Sequence, residues 1–365
     1  MIIRNGTFAE FIAAVGSKKL FVYGAGQNAH EFFSKYQKEL MDINVCAVID
    51  NNISTRNKKV NISGRIFSLI SERIFTNLEL DQSEMVILLT MGNFWDVLES
   101  LNSVSTLADV TCYIYPLIRL EELDKGIYEV AMPPNSLREN GEFVIPQIIH
   151  YCWFGRSELS SLAKKCIESW RRFCPGFEIR LWNEDNYDIS KNHYMLSAYK
   201  EKKWAYVSDY ARVDVVNQYG GVYLDTDVEI LRPLDMLMRE KAFAGFENEE
   251  FVNFGQGFGS VANNPVLVDL LDLYSTLSWD GGQIRCPEYQ SKILEKHGLI
   301  RRNSFQKLDN MTILPVRYLC PISSNSGRKH TDLDSFAIHH YAASWVDENI
   351  RKWMELKKKA VYDVG

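Results

Sequence analysis

The stretch that decides the fold is Trp204-Ala-Tyr-Val-Ser-Asp-Tyr-Ala-Arg-Val-Asp-Val-Val-Asn-Gln-Tyr-Gly-Gly-Val-Tyr-Leu-Asp-Thr-Asp-Val-Glu-Ile230. Its first part, residues 204–219, has apolar residues spaced by three and four, which predicts a helix. Gly220 and Gly221 follow, and glycine directly after such a pattern is typical of a helix end. The sequence therefore predicts a helix that turns sharply into the next element.

The second part of the stretch, residues 222–230, is rich in β-branched and aromatic residues and predicts a strand. Alternate side chains of a strand share a face, so Asp225 and Asp227 are expected side by side. Two adjacent carboxylates repel each other unless a cation lies between them. Oxygen ligands suit a hard divalent ion, so the pair predicts a site for Mn²⁺ or Mg²⁺ with positions open to phosphate oxygens.

A second charged pair lies on the predicted helix. Asp209 and Arg212 are three residues apart and are therefore neighbours on one helical face. One interpretation is a surface ion pair, which contributes little to stability. The other is an acid and a cation held beside the metal-binding strand. The short Gly-Gly turn favours the second interpretation, because it folds the helix back towards the strand.

These segments carry a resemblance to a known family. Ser-Asp-Tyr-Ala-Arg at 208–212 and Tyr-Gly-Gly-Val-Tyr-Leu-Asp-Thr-Asp-Val at 219–228 resemble the sugar-binding DxD region of a glycosyltransferase family. That family includes yeast initiating mannosyltransferases and bacterial capsular polysaccharide sugar transferases, and the clostridial glucosylating toxins carry a related region. The resemblance implies a GT-A type domain that moves a sugar, with retention, from a UDP- or GDP-sugar to a glycan or lipid-linked oligosaccharide in surface polysaccharide synthesis.

The expected donor-sugar residues follow from this resemblance. The predicted catalytic residues are Asp209, Arg212, Asp225 and Asn253. In this scheme Asp227 binds the metal directly, while Asp225 bonds the ribose or the sugar and helps to orient the metal. Asn253 comes from a segment, 251–260, that resembles the part of the family facing the donor sugar, with Gln256 as a second candidate. The alternative for this segment is a turn-rich pair of strands without contact to the sugar.

The transferase domain is predicted to open at residues 143–155 with an apolar strand and its exit loop. Ligands of open α/β sheets lie at the carboxyl ends of the strands. By resemblance, Trp153 would stack on the nucleotide base, and Tyr151 belongs to the same donor-binding segment. The alternative for Trp153 is a core aromatic residue, since most aromatic residues are buried. His150 is another candidate, with a purely structural role as its alternative.

The segment 337–345 matches the closing motif of the family. His339 and His340 are both candidate metal ligands, but they point to opposite faces of an extended segment, so only one of them can bind the ion. Ser344 and Trp345 would close over the diphosphate of the donor. Closing the site in this way excludes water and suppresses hydrolysis of the donor.

The N-terminal part predicts a separate domain. A strand is followed by Gly24-Ala-Gly26, a helix from about residue 30 to 40, a strand at 45–49 and then Asp50, which is the opening pattern of a Rossmann-like parallel sheet. Gly24 and Gly26 would let backbone amides approach a phosphate, and Asp50 would bond a ribose, giving a second candidate nucleotide site. The alternative is a turn kept for packing, with no ligand.

The expected fold class is therefore α/β, with a small Rossmann-like domain before a GT-A type nucleotide-sugar transferase domain. The predicted boundaries are 1–120 for the first domain, 121–142 for a linker rich in charge, proline and glycine, and 143–365 for the transferase domain. Strands that alternate with helices in the first part indicate the parallel sheet.

Composition limits the other classes. The chain has 365 residues, with 46% hydrophobic and 24% charged residues, as in ordinary globular proteins. A net charge of −6 argues against nucleic acid as a partner. Seven unclustered cysteines predict a reducing compartment and argue against a zinc site. With no signal peptide and no apolar run near the roughly 20 residues of a membrane span, we expect a cytoplasmic protein.

The basic tail at 351–359 has two interpretations: peripheral contact with the anionic inner face of a membrane, or a solvated helical face. Other functions also stay open. A metal-dependent phosphate-ester hydrolase uses paired acids too, but needs histidine and aspartate clusters that are not evident here. A nucleotide-sugar binding or regulatory protein with a degenerate transferase fold would not need an intact DxD. An oxidoreductase would use the Gly24-Ala-Gly26 turn.

Overall fold

The computed structural model describes residues 1–4, 6–51, 59–79, 81–279, 281, 285–323, 329–330 and 334–342. It divides into two compact units. The first unit contains Met1–Lys125, and the second contains the described residues from Gly126 onward. No helix in these ranges combines the length and the apolar content that a membrane span requires.

The first unit alternates strands and helices, as the sequence predicts. Its elements are β1 (Ile2–Arg4), α1 (Phe8–Val15), β2 (Lys19–Tyr23), α2 (Gln27–Lys35), β3 (Val45–Ile49), β4 (Lys59–Ile62), β5 (Arg65–Ile70), α3 (Glu72–Phe75), β6 (Met85–Leu89), α4 (Trp95–Asn102), β7 (Thr111–Ile114) and the part of α5 (Tyr115–Glu129) up to Lys125. The strands form one sheet in the order β1-β7-β6-β2-β3-β5-β4.

All pairings in this sheet are parallel except the β4–β5 hairpin. The chain moves outward from β2 in one direction through β3 and in the other through β6, which is the doubly wound order of a Rossmann-like domain. The predicted Rossmann-like domain is confirmed. Two predicted boundaries shift: α2 begins three residues earlier than expected, with Gly26 at its N-cap. In addition, α5 extends to Glu129, so the expected linker begins inside a helix.

The second unit is built around a mixed sheet. Its elements are β8 (Ile148–Cys152), α6 (Ser161–Phe173), β9 (Glu178–Trp182), α7 (His193–Lys200), α8 (Trp204–Tyr219), β10 (Gly221–Tyr223), β11 (Val228–Ile230), α9 (Asp235–Met238), β12 (Ala242–Gly245), β13 (Phe258–Ser260), α10 (Pro265–Thr276), α11 (Cys286–Lys296), β14 (Gln306–Lys307), β15 (Thr312–Leu314) and β16 (Ala337–His339).

Seven strands of this unit form a sheet in the order β14-β15-β12-β13-β10-β8-β9. The pairs β8–β9, β8–β10 and β12–β15 are parallel, whereas β13 runs antiparallel to both of its neighbours. Side chains of alternate sheet residues enter two different core clusters. On one face of the sheet, Cys152 and Tyr223 pack with α8 and α10. On the other face, Tyr151 and Val222 pack with α6. The predicted α/β fold class is therefore confirmed in both units.

The predicted strand over 222–230 is wrong in one respect. The chain forms two strands there, β10 in the large sheet and β11 in a separate two-stranded sheet with β16. Between them lies a turn in which the Val228 amide donates to the carbonyl of Asp225 over 3.0 Å. Thr226 and Asp227 occupy the turn. A turn, rather than the alternation of a single strand, therefore sets the direction of the two DxD carboxylates.

Candidate metal and sugar-donor site

Three potential metal ligands converge at this turn. One ligand atom each from Asp225, Asp227 and His339 lies within 4.8 Å of the other two. Nε2 of His339 is 3.5 Å from Oδ1 of Asp227. The antiparallel pairing of β11 with β16 sets His339 opposite Val228, the residue after Asp227. The pairing of β11 with β16, two strands more than a hundred residues apart in sequence, therefore places the imidazole at the DxD turn.

His340 lies on the other side of the same strand end. Its Nε2 is 2.8 Å from Oε2 of Glu229, which also pairs with Lys165 over 2.9 Å. The His340 backbone amide instead donates to the carbonyl of Asp227 over 3.0 Å. The structure thus brings His339, and not His340, to the two aspartates, in line with the expectation that only one of them can be a ligand.

The donor set fits a divalent cation. Burial by itself would raise the pKa of Asp227, but the charge and hydrogen bond of His339 together with the Ala342 amide outweigh it and lower the pKa to about 2. Burial raises the pKa of Asp225, in spite of the opposing charge of Arg212. Nδ1 of His339 is buried without a hydrogen-bond partner among the described residues. Two carboxylates and an imidazole in such a setting are stabilised by a cation.

The helix α8 supplies the charged pair predicted beside this site. Arg212 bonds Asp209 over 2.9 Å and lies 3.4 Å from Asp225. Its side chain is 4% exposed and that of Asp209 is 7% exposed. The pair is therefore buried, which decides between the two interpretations of the sequence: removing one partner of a buried pair costs far more than breaking a surface ion pair. Burial also raises the pKa of Asp209 to about 6.

Tyr223 and Gly255 fix the position of Asp225. The Tyr223 hydroxyl donates to Oδ1 of Asp225 over 2.9 Å, and the Asp225 amide donates to the carbonyl of Gly255 over 3.1 Å. A Cβ on Gly255 would lie 2.4 Å from Oδ2 of Asp225 and 2.7 Å from Arg212. Gly255 was not among the predicted site residues, although it lies in the glycine-rich segment that the sequence singles out.

Asn253 lies next to this group. Its Oδ1 accepts from the Gly255 amide over 2.7 Å, and its Nδ2 donates to Glu247 over 3.1 Å. Glu247 was missed by the sequence analysis, since an isolated glutamate after a strand gives no signal. Gln256, the second candidate, is fully buried, and its amide donates to the carbonyls of Gly245 and Phe246. Asn253 is therefore near the DxD turn. The side chain of Gln256 instead binds the backbone of Gly245 and Phe246.

Comparison with known proteins agrees with this geometry. Residues 160–244 match the family model described as "Glycosyltransferase sugar-binding region containing DXD motif". The second unit therefore contains a segment that is similar to a glycosyltransferase sugar-binding region. The resemblance predicted from the sequence is thus confirmed for this segment, and the second unit is the transferase unit of the chain.

Three relatives support the same class. An uncharacterized glycosyltransferase of Acanthamoeba polyphaga mimivirus is 24% identical over 213 residues, which cover 55% of this chain and 84% of the relative. Human alpha-1,4-N-acetylglucosaminyltransferase is 27% identical over 131 residues, covering 34% and 36%. Inositol phosphoceramide mannosyltransferase 1 of Schizosaccharomyces pombe is 24% identical over 230 residues, covering 60% and 68%. Glycosyltransferase function is therefore supported.

The opening strand of the transferase unit places its three candidates differently. Trp153 is partly buried and lines a pocket of about 330 Å³ together with Asn183 and Asp185. Its Nε1 donates to the carbonyl of Ser157 over 2.7 Å. Tyr151 packs edge-on against Trp170 in the core, so its ring is not brought to the metal ligands. The stacking of Trp153 on a base stays a prediction.

His150 is a structural histidine of the transferase unit. It is fully buried, its Nδ1 accepts from Trp182 over 3.0 Å, and its Nε2 lies 2.8 Å from the carbonyl of Gly220. Burial lowers its pKa to about 4, so it is neutral at ordinary pH. Its ring links the C-terminal end of α8 to the sheet through the Gly220 carbonyl.

Two further groups of predicted residues have separate outcomes. Ser344 and Trp345 are outside the described residues, and so is the basic tail. In the first unit, Gly24 has φ +101° and Gly26 caps α2. Oδ2 of Asp50 accepts from the Ala25 amide over 2.9 Å, so one amide of the glycine turn is already used by a carboxylate. The second nucleotide site at these residues stays a prediction.

Proposed function

We propose that this chain is a metal-dependent glycosyltransferase that moves a sugar from a nucleoside diphosphate sugar to a hydroxyl of a glycan or lipid-linked saccharide. The observation that carries the proposal is the convergence of Asp225, Asp227 and His339 beside the buried Arg212–Asp209 pair. A cation held by Asp225, Asp227 and His339 would suit the diphosphate of such a donor. The Arg212–Asp209 pair would suit the hydroxyls of its sugar.

Each residue then has a distinct task. Asp225, Asp227 and His339 would hold the divalent ion, whose chemistry is to stabilise the negative charge that grows on the leaving diphosphate. Imidazole is a common ligand of transition metals, whereas Mg²⁺ sites use oxygen, so His339 favours Mn²⁺ over Mg²⁺. Arg212, Asp209 and Asn253 would bind hydroxyls of the donor sugar, and Trp153 the base.

Further parts of the proposal rest on the sequence resemblance. We expect retention: the acceptor oxygen bonds to the anomeric carbon on the face that the diphosphate leaves, and the diphosphate takes the acceptor proton. We expect the reaction to serve surface polysaccharide synthesis in the cytoplasm, with the basic tail at 351–359 touching the inner membrane face. Proton NMR of the product tests the stereochemistry.

A panel of UDP- and GDP-sugars tests the proposal, with mannose and N-acetylglucosamine donors included because the names of two relatives mention them. Release of nucleoside diphosphate in Mn²⁺ is measured for the wild type and for Asp227→Asn. Asp235→Asn, an exposed acid on α9, is the matched control. We expect turnover of one donor, lost in Asp227→Asn and retained in the control. Tight binding without turnover would favour the regulatory alternative.

A further inference from the structure

We propose that Glu247 and Asn253 form a hydroxyl-binding pair that receives the donor sugar and contributes to the choice of sugar. This inference rests on the proposed function, because it assumes that a nucleoside diphosphate sugar lies at the DxD turn. Neither residue is part of the three-ligand metal group, and Glu247 has no role in the account given so far.

The loop after β12 holds Glu247 in a fixed position. Its backbone amide donates to the carbonyl of Phe251 over 2.8 Å, which closes the loop. Its Oε2 accepts from Nδ2 of Asn253 over 3.1 Å. Asn253 is fixed in turn, because its Oδ1 accepts from the Gly255 amide over 2.7 Å. A carboxylate and an amide are thus locked against each other on a strand exit, where ligands of α/β sheets bind.

Hydrogen-bond accounting leaves this pair incomplete. An ionised carboxylate has two acceptor oxygens, and a side-chain amide has two N–H donors. Among the described residues, Glu247 uses one oxygen and Asn253 uses one donor, both in their mutual bond. One acceptor oxygen and one N–H donor therefore remain on two side chains that are hydrogen-bonded to each other. A sugar hydroxyl, which both donates and accepts, or two neighbouring hydroxyls, would satisfy both atoms at once.

The pair also lies beside the residues that are proposed to bind the donor sugar. Arg212, Asp225 and Asn253 all approach the Cα of Gly255 so closely that a Cβ there would lie 3.0 Å or less from each of them. Asn253 therefore borders the residues proposed to hold the sugar, and Glu247 is hydrogen-bonded to Asn253. Burial raises the pKa of Glu247, with His339 and Asn253 opposing the shift. Removal from water strengthens a hydrogen bond from a hydroxyl to this carboxylate.

Glu247→Gln tests the inference, with Glu250→Gln as the matched control, since Glu250 is exposed on the same loop. Two affinities are measured in Mn²⁺: that of the nucleotide sugar turned over by the wild type, and that of the matching nucleoside diphosphate without sugar. We expect Glu247→Gln to lower the affinity for the nucleotide sugar about tenfold or more, which corresponds to the loss of a charge-assisted hydrogen bond. Its affinity for the nucleoside diphosphate, and both affinities of Glu250→Gln, should stay at wild-type values.

Glu247→Asp is the second variant, which keeps the charge and is expected to give a smaller loss. Equal affinities for the nucleotide sugar in Glu247→Gln and wild type would overturn the inference while leaving the proposed function intact. Parallel loss of both ligands would also overturn it, because that pattern indicates a general structural role. If the wild type binds no nucleotide sugar, the proposed function fails and the inference fails with it.

Discussion

Arg212 shows at the scale of one residue how the site is held together. It is a buried cation between two carboxylates, Asp209 and Asp225, and its guanidinium lies 5.1 Å from the ring centre of Tyr223. Burying a charge is costly unless it is paired. Here the two carboxylates and the face of the Tyr223 ring compensate Arg212 for its lost contact with water. These contacts therefore hold Arg212 in a fixed position beside the DxD turn.

Gly255 gives the sharpest prediction at this scale. Gly255→Ala would bring Cβ to 2.4 Å from Asp225 and 2.7 Å from Arg212, so both side chains must move. Displacing catalytic groups by about 1 Å costs roughly 100-fold in rate, which is the loss of donor turnover we expect. Gly176→Ala is the control, because its Cβ would meet nothing closer than 3.8 Å. Equal turnover in the two variants would contradict the placement of Gly255.

His150 predicts a pH dependence of stability. Its pKa is lowered from 6.5 to about 4 by burial, whereas the unfolded chain takes up the proton below about 6.5. Acidification through that window therefore stabilises the unfolded state. Between pH 7 and pH 4 this residue should remove about 3 kcal/mol of unfolding free energy.

Denaturant unfolding of wild type and His150→Gln at several pH values measures this effect. The variant should be less stable at pH 7, because a buried hydrogen-bonded ring is lost. Its stability should also fall less steeply with acidification, by the contribution of His150. Parallel pH curves for the two proteins would show that His150 titrates normally.

The residues that the sequence could predict are those that are close together in it. Asp209, Arg212, Asp225 and Asp227 are linked by helical spacing and a short turn, so local rules suffice. His339 could be proposed, but choosing it over His340 required the β11–β16 register. Glu247 gave no local signal, because its place depends on a bond to Asn253 and on packing.

At the scale of elements, β11 is held from two sides. On one edge it pairs with β16. On the opposite edge, α6 makes two hydrogen bonds to the strand backbone: Nε1 of Trp170 donates to the carbonyl of Val228 over 2.7 Å, and the amide of Ile230 donates to Oγ of Ser169 over 2.9 Å. Helix α6 therefore fixes the strand that leaves the DxD turn.

Ser169→Ala tests this brace. The substitution leaves the amide of Ile230 without its buried acceptor, which typically costs about 1–3 kcal/mol. Ser161→Ala, at the exposed first position of α6, should change the unfolding free energy by no more than about 0.5 kcal/mol. Chemical denaturation compares the two variants. Equal stability would mean that the hydrogen bond to Ser169 contributes nothing.

The split of the predicted 222–230 strand belongs to this scale too. Val222, Tyr223, Val228 and Ile230 all favour β-structure, so local propensity gives one continuous strand. The partners differ, however: β10 pairs with β8 and β13, and β11 pairs with β16. Since β16 follows by more than a hundred residues, no local pattern could place the turn between them.

At the scale of the whole molecule, each unit has its own apolar core, and the described candidate metal ligands all belong to the second unit. Alternating strands and helices were enough to predict the Rossmann-like domain. The mixed sheet of the transferase unit was harder, because β12 to β15 are short and pair out of sequence order. Its site joins residues of α8, the DxD turn and the last described strand.

Mn²⁺ affinity tests this assembly most directly, in the presence of nucleoside diphosphate and with free Mn²⁺ measured by electron paramagnetic resonance. His339→Phe and His340→Phe are the matched pair: adjacent residues, the same substitution, opposite sides of the chain. We predict that His339→Phe weakens Mn²⁺ binding about tenfold or more, and that His340→Phe binds Mn²⁺ as the wild type does. Equal affinities in the two variants, or a larger loss in His340→Phe, would contradict the site of Asp225, Asp227 and His339.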